Sequence, residues 1–354
     1  MISQEVLYFF GFIIFIIGIL LFDLTVVGRN CHVISFKESL FWTSVWVTLA
    51  LLFYVFIIYF GDRFHGIANM DQLLAIKAKY APQLTLDMSS FENSLEIYRK
   101  NMGLEYLNGY LIEYVLSMDN VFVMMMLLAA FSVNEKYYKE VLFWGILGAI
   151  VLRFLFIFTG AALIARFEWI LLIFGAFLIY TGIKVFITRN KEEKIETKNH
   201  PLVKFLSRYT NVYPRFFKGH FFVHTKKKVY ITPLFIVLIL IEFTDVVFAT
   251  DSIPAIFGVT RDPFLVFFSN IFAIIGLRSL FFMLMRVMNI FHYLKIGISF
   301  LLVFIGVKLL FHTLLEQIGF KSIYSLYVIL GTLAICIVAS ILFPQKENLA
   351  VAEK

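Results

Sequence analysis

The chain has 354 residues, of which 61% are hydrophobic and only 16% charged, with 43 phenylalanines and a net charge of +7. A soluble domain carries roughly a quarter charged residues. This composition excludes an ordinary soluble protein and indicates a polytopic membrane protein.

Several stretches exceed the ~18 apolar residues that mark a transmembrane helix. In chain order, nine spans are predicted near 6–22, 40–60, 104–131, 140–164, 169–188, 230–258, 264–286, 296–314 and 323–343. The expected fold is therefore all-α and polytopic. The first span lacks a basic leading region and reaches Asp23 without a small-residue cleavage site, so it reads as a retained anchor. Residues 1–60 hold the first two spans. The polar stretch 61–103 follows, and its "ANMDQLLAIKAKY" reads as a short amphipathic helix to which no chemistry is assigned.

Residues 104–188 carry three spans and 230–314 three more, with a ninth span and a tail in 315–354. Between the two triplets, 189–229 holds eleven Lys or Arg. The positive-inside rule puts that loop in the cytoplasm. Alternating sides from there leaves 61–103 and the N-terminus outside and the C-terminus inside. The basic run is a topology signal first; binding to anionic lipid is the sharper alternative, and no nucleic acid is expected.

Cys31 and Cys336 lie far apart, and no CxxC, HExxH or GxSxG occurs. Zinc, redox and serine-hydrolase signatures are thus missing, and neither an enzyme nor a tightly bound cofactor is expected. His292 and His312 flank one span and read as interfacial residues.

The two triplets resemble each other. "IEYVLSMDNVFV" (112–123) is echoed by "IEFTDVVFATDS" (241–252), and Arg153 and Arg278 follow Asp119 and Asp245 by 34 and 33 residues. Gly182/Lys184 and Gly306/Lys308 recur fifteen and seventeen residues after Phe167 and Phe291. Each unit has three spans, an odd number, so the second copy enters the membrane from the opposite side. Inverted repeats of this kind build secondary transporters, whose substrate sits near the midplane at the repeat interface.

The charges inside these spans need a reason, since a carboxylate at the bilayer centre costs about 3 kcal/mol or more. The third span offers Glu113, Asp119 and Asn120. Gly109, Glu113, Ser117, Asn120 and Met124 share one helical stripe, with Asp119 off it. The sixth span offers Glu242, Thr244, Asp245, Thr250, Asp251 and Ser252, and Pro254 deprives the Thr250 carbonyl of its helical donor. Five carboxylates then face two mid-membrane arginines, Arg153 and Arg278, while Lys184 and Lys308 lie near span ends. Carboxylates this close cannot all ionise without a counter-ion. Their oxygens are hard donors suited to Mg²⁺, Ca²⁺ or Mn²⁺, and Met118 would add a soft thioether favouring Mn²⁺. The plainer alternative is a set of interhelical ion pairs that only stabilises the bundle.

"GYLIEYVLSMDNVFV", "VYITPLFIVLILIEFTDVVFATDSIPAIF" and "RDPFLVFFSNIFAIIGLRSLFF" resemble the signature segments of the TerC family, over about 103–343. The resemblance implies a bacterial inner-membrane protein of the wider LysE-type transporter group. It also implies Mn²⁺ export for the Alx-type members, and tellurite resistance where the family was named. It carries the family's acidic positions onto Glu113, Asp119, Glu242, Asp245 and Asp251. The 61–103 segment is longer than the family pattern.

The leading expectation is a divalent-metal exporter, Mn²⁺ foremost, working by alternating access; proton antiport is one coupling, and the sequence leaves the coupling ion open. Glu113, Asp119, Asn120, Glu242, Asp245, Thr250 and Asp251 would hold the metal, and Arg153 and Arg278 would balance charge. The alternative is a scaffold for membrane-protein assembly or a metal and tellurite stress complex, without transport. An intramembrane hydrolase and a carrier of small organic solutes rank lower. The expected partners are a divalent cation and the bilayer; a homo-oligomer is compatible with the sequence.

Overall fold

A computed structural model describes residues 4–22, 35–131, 133–167, 169–188, 213, 219–225, 228–287, 293–311, 314–315, 320 and 322–343. A few side chains inside these ranges, that of Asp119 among them, lie outside the description. The helices are α1 (Gln4–Phe22), α2 (Phe36–Phe60), α3 (Met70–Tyr80), α4 (Phe91–Ala130), α5 (Tyr138–Arg166) and α6 (Ile170–Thr188). After a hairpin of β1 (Phe222–Thr225) and β2 (Lys228–Ile231) come α7 (Pro233–Phe257), α8 (Pro263–Ile275), α9 (Leu277–Val287), α10 (Leu294–Leu310) and α11 (Ser322–Leu342).

The protein is predominantly helical, with one amendment to the all-α expectation. The hairpin is antiparallel, pairing Phe222 with Ile231 and Thr225 with Lys228. It closes the described end of the basic segment, most of which lies outside the described residues.

Length and apolarity together qualify five helices as membrane spans, within Phe36–His65, Glu135–Arg166, Ile170–Thr188, Pro233–Phe257 and Ile323–Leu342. A sixth results if Pro263–Ile275 and Leu277–Met285, bent by 42° at Gly276, count as one. The nine expected spans are thus five or six by this measure among the described residues. The shortfall has physical causes. The apolar parts of α1 and α10 are short, Phe10–Ile19 and Ile296–Leu310. Helix α4 has polar residues from Glu92 to Asn120.

At 40 residues α4 is also far longer than expected. At 1.5 Å per residue it measures about 60 Å, twice the ~30 Å hydrocarbon core. It begins at Phe91, so the end of the 61–103 stretch is helix rather than loop. The short amphipathic helix expected in that stretch is α3, with Leu73 fully buried. Its start is a reciprocal cap: Asn69 accepts from the Gln72 amide at 2.9 Å while Gln72 accepts from the Ala68 amide at 2.8 Å. Ahead of α4, the Ser89 hydroxyl, the Asn93 amide group and the Ser89 backbone N–H all bond Asp87, holding its carboxyl below the usual carboxylate range.

Two apolar cores fill the bundle. One gathers Ile112, Val115 and Leu116 of α4 with Ile157, Ile253, Phe267 and Phe268. The other gathers Val121, Met124 and Leu128 of α4 with Leu142, Ile146, Leu240, Ile241 and Phe281. The join between the cores falls at 117–120 on α4, at 150–154 on α5 and at 242–248 on α7. Asp119, Arg153, Glu242 and Asp245 fall within that join, with Glu113 and Asp251 about a turn from it.

Helices α6 and α10 cross closely. A Cβ added at Gly306 would stand 2.6 Å from the Gly175 carbonyl oxygen, and one added at Gly175 would stand 2.9 Å from that of Gly306. One turn or two away, the Ser299 hydroxyl donates to the Gly182 carbonyl at 2.7 Å.

Candidate cation site

Arg153 stands midway along α5 with no solvent exposure. A guanidinium buried this completely needs acceptors for its five N–H bonds. Helix α4 supplies Glu113, which pairs with Nη1. Helix α7 supplies Asp245, whose Oδ1 lies 3.1 Å from Nη2 and whose Oδ2 lies 3.4 Å from Nε. Helix α8 supplies Asn270, whose Oδ1 accepts from Nη1 at 2.6 Å. Ser252, two turns beyond Asp245 on the same face of α7, sits 3.5 Å from Nη1.

One guanidinium thus meets two carboxylates, leaving a formal charge of −1 in a group that is essentially sealed. Ser117 donates to Glu113 Oε1 at 3.1 Å, and Asn270 Nδ2 is fixed by the Val266 carbonyl at 2.9 Å. Glu113 Oε2 is buried without a hydrogen-bond partner among the described residues. An anionic oxygen in that position is a vacant lone-pair donor.

The other expected residues are distributed around this group. Asn120 is buried on the α4 stripe with Glu113, Ser117 and Met124. Asp119 is on α4, but its side chain falls outside the described residues, and so does its expected position relative to Asp245. Glu242 lies about 60° round α7 from Asp245. Its carboxylate presses on Gly148 of α5, where any Cβ would collide with it, and its Oε2 is buried with no hydrogen-bond partner among the described residues. Asp251 and Thr250 lie roughly 120° and 140° round the helix from Asp245. Thr250 is exposed, and its hydroxyl bonds the Val247 carbonyl at 2.6 Å within its own helix. Arg278 of α9 is buried beside a small apolar void lined by Gly145, Ala149 and Ile241.

Ser252 counts among the polar residues of the sixth span but was given no role, and Asn270 was not singled out at all. The signal for Asn270 is visible in "VFFSNIFAII", where Ser269 and Asn270 interrupt a run that is otherwise apolar. Among the described residues no three His, Cys, Asp or Glu side chains stand close enough to hold one metal ion. The acids that do meet are held by Arg153.

The description "Integral membrane protein TerC family" matches residues 98–348. The chain belongs to the TerC family. Other members resemble it along most of its length. An uncharacterized membrane protein of Myxococcus xanthus, STKORF319, is 41% identical over 332 residues, covering 94% of this chain and 91% of that one. The protein of Escherichia coli K12 named "Putative membrane-bound redox modulator Alx" is 43% identical over 301 residues, covering 85% and 84%. An uncharacterized membrane protein of Rickettsia bellii is 37% identical over 331 residues, covering 92% and 94%. No solved structure matches. The TerC-matching region contains the whole Arg153 group, so the site belongs to the family's part of the chain.

Proposed function

We propose that this TerC-family membrane protein exports divalent metal ions, Mn²⁺ foremost, by alternating access through the group around Arg153. The observation that carries the reading is that Glu113 and Asp245, from different triplets of helices, share one sealed guanidinium at the join of two apolar cores. A purely structural ion pair needs one acid per base. Here the acids outnumber the base, and one Glu113 oxygen has no partner among the described residues.

In the state described, Arg153 takes the place of the cargo. A divalent cation would bring two charges to the same oxygens, releasing the guanidinium and recruiting Asp119, Asn120 and Asp251. The Thr250 carbonyl, beside Asp251 and ahead of Pro254, would complete the ligand set from α7. Glu242 would carry a proton in exchange, since its Oε2 is buried with no hydrogen-bond partner among the described residues. Arg278 would balance the second half of the site as Arg153 balances the first, facing Asp119 by the repeat.

Contacts between α6 and α10 support an inverted repeat. In the sequence echo Gly182 corresponds to Gly306, and Gly175 to Ser299. The close pairs are Gly175 with Gly306 and Gly182 with Ser299. A two-fold exchange of the helices turns one pair into the other. Nine spans, an outside N-terminus and an inner-membrane location complete the reading.

The redox role in the relatives' name finds two cysteines here and no CxxC spacing, with Cys336 buried. The test of the transport reading is the content of Mn, Fe, Zn, Ca and Mg in cells with and without the gene. Expression should lower Mn selectively; an unchanged metal profile under Mn²⁺ load contradicts export.

A further inference from the structure

Eight residues before Glu113 on α4, about 12 Å along the axis, a second polar group is buried at the other end of the first apolar core. Glu105 is 3% exposed and its two oxygens are both occupied. Thr260 donates to Oε2 at 2.6 Å and Asn101 donates to Oε1 at 2.7 Å. Thr260 belongs to the short corner between α7 and α8. Two residues on, the Asp262 amide bonds the Thr260 hydroxyl at 3.2 Å, while Asp262 Oδ1 caps α8 through the Phe264 amide at 2.9 Å. The remaining oxygen, Oδ2, meets His65 Nε2 at 2.7 Å, both side chains being buried. His65 ends the turn that follows α2 and stacks on Tyr80 of α3. The α7–α8 corner is therefore fastened on one side to α4 and on the other to the 61–65 turn.

Between this group and Arg153 runs a strip of buried polar side chains. Helix α4 contributes Asn108 and Glu113, and α8 contributes Ser269 and Asn270, each fully buried. Gly109 lets the helices touch: a Cβ there would lie 2.9 Å from Ser269 Oγ. Within α8 the Ser269 hydroxyl and the Asn270 amide both donate to the Val266 carbonyl, at 3.0 and 2.9 Å, so these polar groups are held inside the apolar interior by their own helix.

We propose that the α4–α8 seam is the route between the Arg153 group and the extracytoplasmic face, and that the Glu105–Thr260 and His65–Asp262 contacts are its outer gate, closed in this structure. Opening parts α8 from α4 and exposes Asn108, Ser269 and Asn270 to water, which solvates them. The gate has a reason to sit at the α7–α8 corner. That corner connects the helix bearing Asp245 to the helix bearing Asn270, so a change in what Arg153 holds is transmitted to it. The route rests on the transport reading for its cargo, but the gate can be measured without any cargo.

The test places a single cysteine at Ser269, in full-length protein with Cys31 and Cys336 replaced by alanine. A membrane-impermeant maleimide is applied from the outer face of intact cells. In the otherwise unaltered protein Ser269→Cys should label slowly. Adding Thr260→Val, which removes the bond to Glu105, should raise the labelling rate about tenfold, the scale of one hydrogen bond to a charged group. Thr260→Ser, which keeps the hydroxyl, should leave it slow. A cysteine at Ser325, buried on α11, which forms neither wall of the seam, should stay unlabelled in every background.

Unchanged labelling in a Thr260→Val protein that melts like its parent overturns the gate. Equal acceleration at Ser325 overturns it too, because the bundle has then merely loosened. Accelerated labelling at Ser269 alone, in a protein that moves no Mn²⁺, retains the gate and removes the proposed cargo.

Discussion

Removing the guanidinium at Arg153 strands two carboxylates in the sealed interior. Arg153→Gln retains a polar side chain of moderate length but cannot neutralise Glu113 and Asp245, which are 0% and 2% exposed. Breaking a buried pair by deleting one partner costs about 3–5 kcal/mol. With two acids on one base the loss belongs near the upper figure, about 5 kcal/mol. A domain of 150–250 residues loses about 2–4 °C per kcal/mol, and a chain nearly twice that size about half as much, so this one should melt roughly 5–10 °C lower. The assay is thermal unfolding of detergent-purified protein followed by tryptophan fluorescence. Combining Arg153→Gln with Glu113→Gln and Asp245→Asn removes the stranded charges and should recover most of the loss, since neutral replacements for a buried ion pair are often tolerated. A single variant that melts with the parent, or a triple variant that melts below the single one, refutes the buried three-helix ion pair.

Gly148→Ala places a methyl group against the Glu242 carboxylate. Because those atoms end a flexible, partly exposed side chain that can swing aside, the cost should stay at or below about 1 kcal/mol, the low end for overpacking; a larger loss that Glu242→Ala in the same chain does not relieve means that the methyl meets something other than Glu242. Gly306→Ala forces α6 away from α10 at a 2.6 Å approach and should cost ~1–3 kcal/mol, whereas Gly331→Ala, with nothing within 4 Å of its added carbon, should be neutral. Equal melting of these two variants argues against the close crossing. A cysteine at Asn199, in the basic segment, should resist impermeant maleimide added to intact cells and react after the membrane is opened. Efficient labelling from outside reverses the orientation.

How much of this was legible beforehand differs from residue to residue. Arg153, Glu113 and Asp245 stood out because a charge in an apolar span has few physical excuses, and the structure brings those three together. Their pairing across helices was not legible, because an ideal helix fixes which face a residue takes but not which neighbour it meets. Asn270 was missed because an amide raises less alarm than a carboxylate. The Glu105–Thr260 contact spans 155 positions and joins a helix to a corner, so no local pattern encodes it. The early start of α4 escaped notice because "FENSLEIYRKNMG" is polar, and the search for spans followed apolarity rather than helix propensity. The bend at Gly276 and the hairpin at 222–231 likewise interrupt stretches whose composition reads as continuous.

Transport of Mn²⁺ by the purified protein in sealed liposomes tests the central claim most directly, comparing the parent with Asp245→Asn and Asp119→Asn at matched insertion. Each substitution keeps the size and hydrogen-bonding capacity of the side chain and removes one charge, and ligand charge tunes divalent-cation affinity over orders of magnitude. The account predicts that the parent accumulates Mn²⁺ inside the vesicles and that both variants lose this activity while folding and inserting normally. Variants that carry Mn²⁺ as well as the parent would contradict it, leaving the acids around Arg153 as structural ion pairs.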